Sequence, residues 1–235
     1  MKVIILAGGF GTRISEETDT KPKPMVLLDE NPILWHVMSI YAKQGFSDFI
    51  VATGYKSEVI ERWVAGNRFD WQVQTLNTGL DTQTGGRIKK CMEVFPGERV
   101  MVTYGDGLGN VDLNNLLDFH KSQNRSATVT AVRPPARFGV LESENGRVTH
   151  FGEKKQSHVG WINGGFFVLE PEVINYIYDD FEPFEGLVMP RIVEAGELSA
   201  FHHEGFWQPM DTLRERNDLA ELAISKFPPW LLSLD

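Results

Sequence analysis

Val3-Ile4-Ile5-Leu6-Ala7-Gly8-Gly9-Phe10-Gly11-Thr12-Arg13 opens the chain with an apolar run that passes directly into a glycine loop. Four consecutive apolar residues followed by small ones predict a buried strand ending in a tight loop at its carboxyl end. Glycines at 8, 9 and 11 lack the Cβ atoms that would keep backbone N–H groups away from an anion, and Arg13 adds a fixed cationic fork. Leu6, Ala7, Gly8, Gly9, Gly11 and Thr12 are therefore candidate polyphosphate contacts, with Arg13 as a candidate cation at the same anion. The spacing is neither G-x-x-x-x-G-K-[ST] nor G-x-G-x-x-G, which removes the P-loop and dinucleotide fingerprints as explanations. A glycine turn after a first strand can also be a tight turn and nothing more.

Ten residues on, Lys21-Pro22-Lys23-Pro24-Met25 places a lysine between two prolines of fixed φ, which restricts where its ammonium can point. Outward from these segments the first half alternates strand and helix signals. Strands are expected at Val3–Ala7, Asp48–Thr53, Trp71–Leu76 and Arg99–Tyr104. Helices are expected from Asn31 as cap with Pro32 at the first helical position, from Ser57 to about Ala65, from Thr84 to about Phe95, and over Leu113–Gln123. This rhythm predicts an α/β fold with a Rossmann-like, mostly parallel sheet flanked by helices and ligands at the carboxyl ends of the strands.

After about residue 123 the pattern becomes richer in strands, at Ala127–Val132, Gly139–Glu142, Arg147–Phe151, Trp161–Leu169 and Leu198–His202, with Glu144-Asn145-Gly146 as a hairpin turn. Helical stretches are expected at Pro171–Tyr178, about Leu187–Ala195, and from Thr212 to about Ser225. The expected organisation is one domain, a first half spanning about 1–123 and a more β-rich half spanning about 124–235. The two share one sheet with a cleft between them.

Composition narrows the function. In 235 residues, 42% apolar, there is enough material for a full core. A net charge of −9 argues against nucleic acid or an anionic membrane as partner, since both need a basic face. The single cysteine, Cys91, excludes an intrachain disulfide and a cysteine-rich zinc site, and is expected as a core thiol in a protein of the reducing cytoplasm. No segment approaches the ~20 apolar residues of a membrane span. His202-His203 on a strand point to opposite faces and cannot share a metal, and His36 and His120 read as structural.

Asp106 lies in Thr103-Tyr104-Gly105-Asp106-Gly107, where flanking glycines leave a carboxylate uncrowded for a hard cation, although a turn aspartate reads the same way. Asp211 in isolation reads as the N-cap of the last helix. Asn163-Gly164-Gly165 interrupts a strand with glycines, a sign of close backbone approach to a ligand.

The glycine loop together with the Lys-Pro segment resembles the signature of the sugar-1-phosphate nucleotidylyltransferases, G-G-x-G-T-R followed by a K-P lysine. The resemblance extends through Asp81–Lys89, Thr103–Gly107, Arg133–Gly139, Trp161–Leu169 and Gly205–Arg214, and is strongest to the cytidylyl-transferring members. It implies that Asp106 and Asp211 together hold one Mg²⁺, and that Lys23 acts with Arg13 in catalysis. It implies further that Thr84, Gly85, Gly86 and Arg87 lie near the base and triphosphate. The sugar-phosphate side would comprise Tyr104, Gly105, Arg137, Phe138, Gly139, Glu153, Lys154, Asn163, Gly164 and Glu185. Lys155 stands where the family usually has proline after the Glu-Lys pair, and the connection from Ala65 to Asp81 is shorter than in those members.

The implied reaction moves a cytidylyl group from CTP to glucose 1-phosphate or a related sugar phosphate in a homo-oligomeric enzyme, with UTP or dTTP as the in-family alternative. A nucleoside triphosphate and a sugar phosphate bring roughly six negative charges together, given a second phosphate pKa near 6. Mg²⁺, Arg13 and Lys23 offset much of that. The acceptor is already a dianion, so alignment and charge stabilisation suffice without a general base. Two acids meeting without the cation are expected to repel. A glycosyltransferase would carry Asp-x-Asp, which is absent, and a non-catalytic subunit would lack some of Arg13, Lys23, Asp106 and Asp211, all of which are present.

Overall fold

A computed structural model describes all residues except 12–13, 135–138, 145–146, 154–159 and 232–235. The chain begins with β1 (Lys2–Leu6), a single helical turn α1 (Ser15–Thr18), and the two-residue strands β2 (Leu27–Leu28) and β3 (Asn31–Pro32). Then follow α2 (Ile33–Ala42), β4 (Asp48–Thr53), α3 (Ser57–Gly66), β5 (Gln72–Asn77), α4 (Thr84–Val94) and β6 (Val100–Tyr104). The middle holds β7 (Gly107–Gly109), α5 (Leu113–Gln123), β8 (Ala127–Val132), β9 (Gly139–Glu144), β10 (Arg147–Glu153), β11 (Ile162–Asn163) and β12 (Phe167–Leu169). A π-turn, Phe184–Val188, leads into α6 (Met189–Glu194), β13 (Leu198–His203), β14 (Trp207–Pro209) and α7 (Leu213–Ala223).

Eight strands form the main sheet in the order β11-β8-β12-β6-β1-β4-β5, with β13 also paired to β8. The four strands β6, β1, β4 and β5 run parallel, β12 is antiparallel to β6 and β8, and β13 is parallel to β8. The sheet is thus mixed and mostly parallel, as expected, and both halves of the chain contribute to it. β1 shows why it must be central. Val3 and Ile5 face one buried cluster, Ile4 and Leu6 the other, so its two-residue period feeds a core on each side. Among the described residues no helix is long and apolar enough to cross a membrane.

Local chemistry moves several boundaries. Pro32 stays extended (ψ 154°) because Asn31 and Pro32 pair with β2, so α2 starts one residue later than expected, with Pro32 as its cap. Lys56, not Ser57, caps α3, in a left-handed conformation (φ 50°) that lets its ammonium reach the carbonyls of Thr18 and Asp19. Thr212 and Glu215 form a reciprocal capping box on α7, so Asp211 is not the cap. Pro171–Tyr176 is a 3₁₀ turn, and the stretch expected as a helix near Leu187 begins as the π-turn.

The largest departure is Trp161–Leu169, expected as one strand and found as β11 and β12 separated by a turn. The Asn163 side chain accepts from the Gly165 N–H at 2.8 Å, and Gly165 and Phe166 have φ of 79° and 47°. The glycines are there for packing. A Cβ on Gly164 would sit 2.5 Å from a Val132 methyl, and one on Gly165 would meet the Tyr104 ring at 3.0 Å. The close approach expected of Gly164 toward a ligand is made instead to β8. Gly164→Ala should therefore lower stability by about 1–3 kcal/mol, the range for overpacking, read as a reduced denaturant midpoint with unchanged slope. A midpoint equal to wild type would mean that β11 shifts freely.

Candidate active site

β1 and β6 are parallel neighbours in a register that pairs Leu6 with Tyr104, so the glycine loop and Gly105-Asp106-Gly107 leave the sheet side by side. Ligands of open α/β sheets sit at the carboxyl ends of the strands, and both loops lie at that edge. A cleft of about 350 Å³ lies there, lined by Leu6–Gly11, Lys23, Pro24, Thr84, Tyr104, Gly105, Asp106 and Asp211. Its wall also includes Phe10, Leu80, Thr82 and Gln83, which sequence reasoning did not single out. Phe10 and Leu80 are half exposed there, large apolar side chains at a polar opening. Their signal was available: both flank glycines in segments already assigned to the nucleotide.

Asp211 reaches the cleft through a short ribbon. β14 pairs with β7 so that Pro209 faces Gly107, and the next N–H, of Met210, donates to the Asp106 carbonyl at 2.8 Å. The capping box then holds Asp211 from behind, because Glu215 accepts from the backbone N–H of both Asp211 and Thr212. The two acids converge as expected, but they do not face each other bare. The Lys23 ammonium donates to Asp106 at 2.7 Å and to Asp211 at 2.8 Å. The repulsion expected without a metal is thus offset by a side chain. Burial pulls the Lys23 pKa down, and Asp106 with Asp211 more than reverses this, leaving it above the ordinary lysine value. Lys23 lies on a 3₁₀ turn, Lys23–Met25, set by the neighbouring prolines.

The donor set suits a hard divalent cation. Two carboxylates converge on one cationic position, and Mg²⁺ takes one or two carboxylates while completing its shell with water and phosphate oxygens. Among the described residues no group of three or more His, Cys, Asp or Glu forms a self-sufficient metal site. A metal here depends on substrate oxygens.

Thr84 and Tyr104, which line the cleft, share one partner: Glu185, on the π-turn, accepts from the Tyr104 hydroxyl at 2.6 Å and from the Thr84 hydroxyl at 2.8 Å. Asn163 donates to the same Tyr104 oxygen at 2.9 Å. Burial, then Glu185, raises the pKa of Tyr104, which keeps it a donor. The bidentate Glu182–Arg191 pair at 2.6 and 2.7 Å anchors the π-turn. Thr84, Tyr104, Asn163 and Glu185 therefore form one connected hydrogen-bonded set.

Other expected residues have structural partners of their own, and Arg87 is also part of the cleft lining. Arg87, expected near the triphosphate, is 4% exposed and its guanidinium donates to the carbonyls of Gly8, Thr53, Gly79 and Leu80 and to the Thr78 hydroxyl. It ties the glycine loop to the ends of β4 and β5. Gly8 is bare because the Arg87 guanidinium fills the place of its Cβ. Gly85 and Gly86 are bare because the backbone of Glu182 and Asp180 packs on them, with the Gly85 N–H donating to Glu182 at 3.0 Å. Thr12, Arg13, Arg137, Phe138 and Lys154 lie outside the described residues. Gly139 and Glu153 are ends of the β9–β10 hairpin.

The remaining titratable groups read as structural. Cys91 is buried, which pushes its thiol up to about 12. His203 is buried and bonded to Phe206, while exposed His202 packs on Trp161, so the tandem does split across the strand. His36 bonds the Leu28 carbonyl, and His120 lies between Thr128 and Glu170. Arg87→Met should lose about 2 kcal/mol or more of stability, because buried carbonyls would be left without donors. A variant of unchanged denaturant midpoint that loses only nucleotide affinity would instead make Arg87 a ligand contact.

A family model described as nucleotidyl transferase matches residues 2–214. The glucose-1-phosphate cytidylyltransferase of Salmonella typhi is 44% identical over 253 residues, covering 98% of each chain. The probable glucose-1-phosphate cytidylyltransferase of Bacillus subtilis (strain 168) is 38% identical, covering 91% of this chain and 92% of its own. The crystal structure of HddC from Yersinia pseudotuberculosis is similar in fold at a TM-score of 0.74 and 25% identity, covering 94% of this chain and 98% of that one. The Salmonella alignment is longer than the 235-residue chain, so that relative carries residues this chain lacks. A match that runs through the whole sheet and ends beyond Asp211 leaves one conclusion, that this chain belongs to the nucleotidyl transferase family.

Proposed function

We propose that the protein transfers a cytidylyl group from CTP to glucose 1-phosphate or a related sugar phosphate, releasing pyrophosphate. The observation that carries this reading is the Lys23 ammonium held between Asp106 and Asp211 at the junction of two walls. One wall is the glycine loop; the other is the Thr84-Tyr104-Asn163-Glu185 set. The relatives named as glucose-1-phosphate cytidylyltransferases, alike over nearly the whole chain, support the choice of base and acceptor.

Bare backbone at Gly9, in the loop that Gly8 and Gly11 shape, lets N–H groups approach the triphosphate, with Arg13 at the loop's end. Tyr104, Asn163 and Glu185 present donors and acceptors to sugar hydroxyls, with Arg137, Phe138, Glu153 and Lys154 completing the acceptor side. An acceptor phosphate oxygen attacks the α-phosphorus, the bond to the bridging oxygen of the β-phosphate breaks, and that oxygen leaves on pyrophosphate. Lys23 stabilises charge at the α-phosphorus, and no protein base is needed because the acceptor is already a dianion. Asp106 and Asp211 would hold Mg²⁺, which when bound screens the triphosphate and polarises the reacting phosphorus.

Pyrophosphate release across four nucleoside triphosphates and several sugar phosphates tests the reading. CTP should exceed UTP and dTTP by at least about tenfold in kcat/KM, equal to about 1.4 kcal/mol, and equal rates with dTTP would refute the base assignment. Asp106→Asn and Asp211→Asn should each nearly abolish turnover, with the double variant little worse because the two act as a unit. Lys23→Ala should lower kcat by roughly 10²–10³. If Asp211→Asn kept normal turnover and Mg²⁺ dependence, the metal assignment would fail.

A further inference from the structure

In the free protein the position between Asp106 and Asp211 is taken. The Lys23 ammonium lies 2.7 Å from one carboxylate and 2.8 Å from the other, and its side chain is 11% exposed. A divalent cation entering there meets a positive charge at hydrogen-bond distance from both of its prospective ligands. To bind, it must take the carboxylates away from Lys23. That leaves an ammonium shielded from water with its counter-charges removed, which is costly unless another anion replaces them.

The replacement is within reach of the same side chain. The Lys23 Cβ lies 3.1 Å from the place a Cβ would occupy on Gly11, so the lysine stem runs along the glycine loop. Rotation of its flexible four-carbon stem carries the ammonium from the acids toward the loop where a triphosphate would sit. A metal-bound nucleotide brings both halves of the exchange at once, a dication for the carboxylates and phosphate oxygens for the ammonium. Bare metal brings only the first.

We infer that Lys23, besides its role at the α-phosphorus, holds the acid pair closed in the free enzyme and gives it up only to metal and nucleotide together, so that metal enters with the nucleotide and not before it. This rests on the metal assignment under the proposed function. It predicts an energetic coupling between the two ligands larger than that from the shared metal alone, the excess being lost when Lys23 is removed.

The test titrates Mn²⁺, which is paramagnetic and takes the same oxygen donors, into free enzyme and follows the fraction bound by electron paramagnetic resonance. Lys23→Met should bind Mn²⁺ about tenfold or more tighter than wild type, the effect of removing one competing unit charge at contact distance. Lys23→Met combined with Asp211→Asn should fall back to weak binding. Equal or weaker Mn²⁺ binding by Lys23→Met overturns the inference. Tight binding that survives in the combined variant overturns the metal assignment instead, so the two failures are distinguishable.

A second measurement needs no variant at Lys23. In thermal unfolding of wild type, Mn²⁺ and a non-hydrolysable CTP analogue together should raise Tm by more than the sum of their separate shifts. Additive shifts refute the exchange even if Lys23→Met fails to fold.

Discussion

The parallel pairing of β1 with β6 is the constraint on which the rest of this molecule depends. Because Leu6 and Tyr104 are register partners, the two loops that follow them must share one crevice. One loop is nearly free of Cβ atoms and the other carries an aspartate between glycines. The sheet supplies this geometry through two buried faces, and the apolar period of β1 is what allows a core on each side. Everything polar at the site is attached to that rigid edge.

A second layer brings in the far end of the chain. The ribbon of β7 and β14, closed by the Met210 bond to Asp106, delivers Asp211 to the same edge, and the capping box of α7 keeps its carboxylate free of the helix it precedes. Lys23 then makes three segments into one unit by bonding to both acids. An ion pair with this little exposure adds little to stability by itself, since the desolvation of its members opposes their attraction. Its consequence here is positional: a cation already stands where a metal would be wanted.

Arg87 shows how an arginine beside a glycine loop can hold that loop to the sheet. Five acceptors on three stretches of chain converge on one guanidinium, and the space it needs next to Gly8 is the reason that residue lacks a side chain. The glycines of this protein divide accordingly. Gly8, Gly85, Gly86 and Gly164 are bare because protein packs on them, while Gly9 has nothing within 4 Å of its missing Cβ and faces an open crevice. A row of glycines in a sequence does not reveal which kind each one is, because the packing partner is distant in the chain.

The sequence by itself determined the alternation of elements, the central strand, the glycine loop, the Lys-Pro segment and the two aspartates, because each is written in local period, backbone restriction or contiguous motif. α5 even has the boundaries expected of it, since Asp112 caps one end and Asn124 turns left-handed at the other. The tertiary structure decided what those residues do to one another. Trp161–Leu169 broke into two strands, both paired with β8, because Asn163 and the left-handed Gly165 and Phe166 turn the chain between them, and Pro32 stayed extended because β2 claimed it. Asp211 was released from a capping role by Thr212, and Arg87 was turned inward by five acceptors. The charge that separates Asp106 from Asp211 came from Lys23, far from both in sequence. Such outcomes follow from competition between distant partners for the same hydrogen bonds and the same space, and no local pattern records which partner wins.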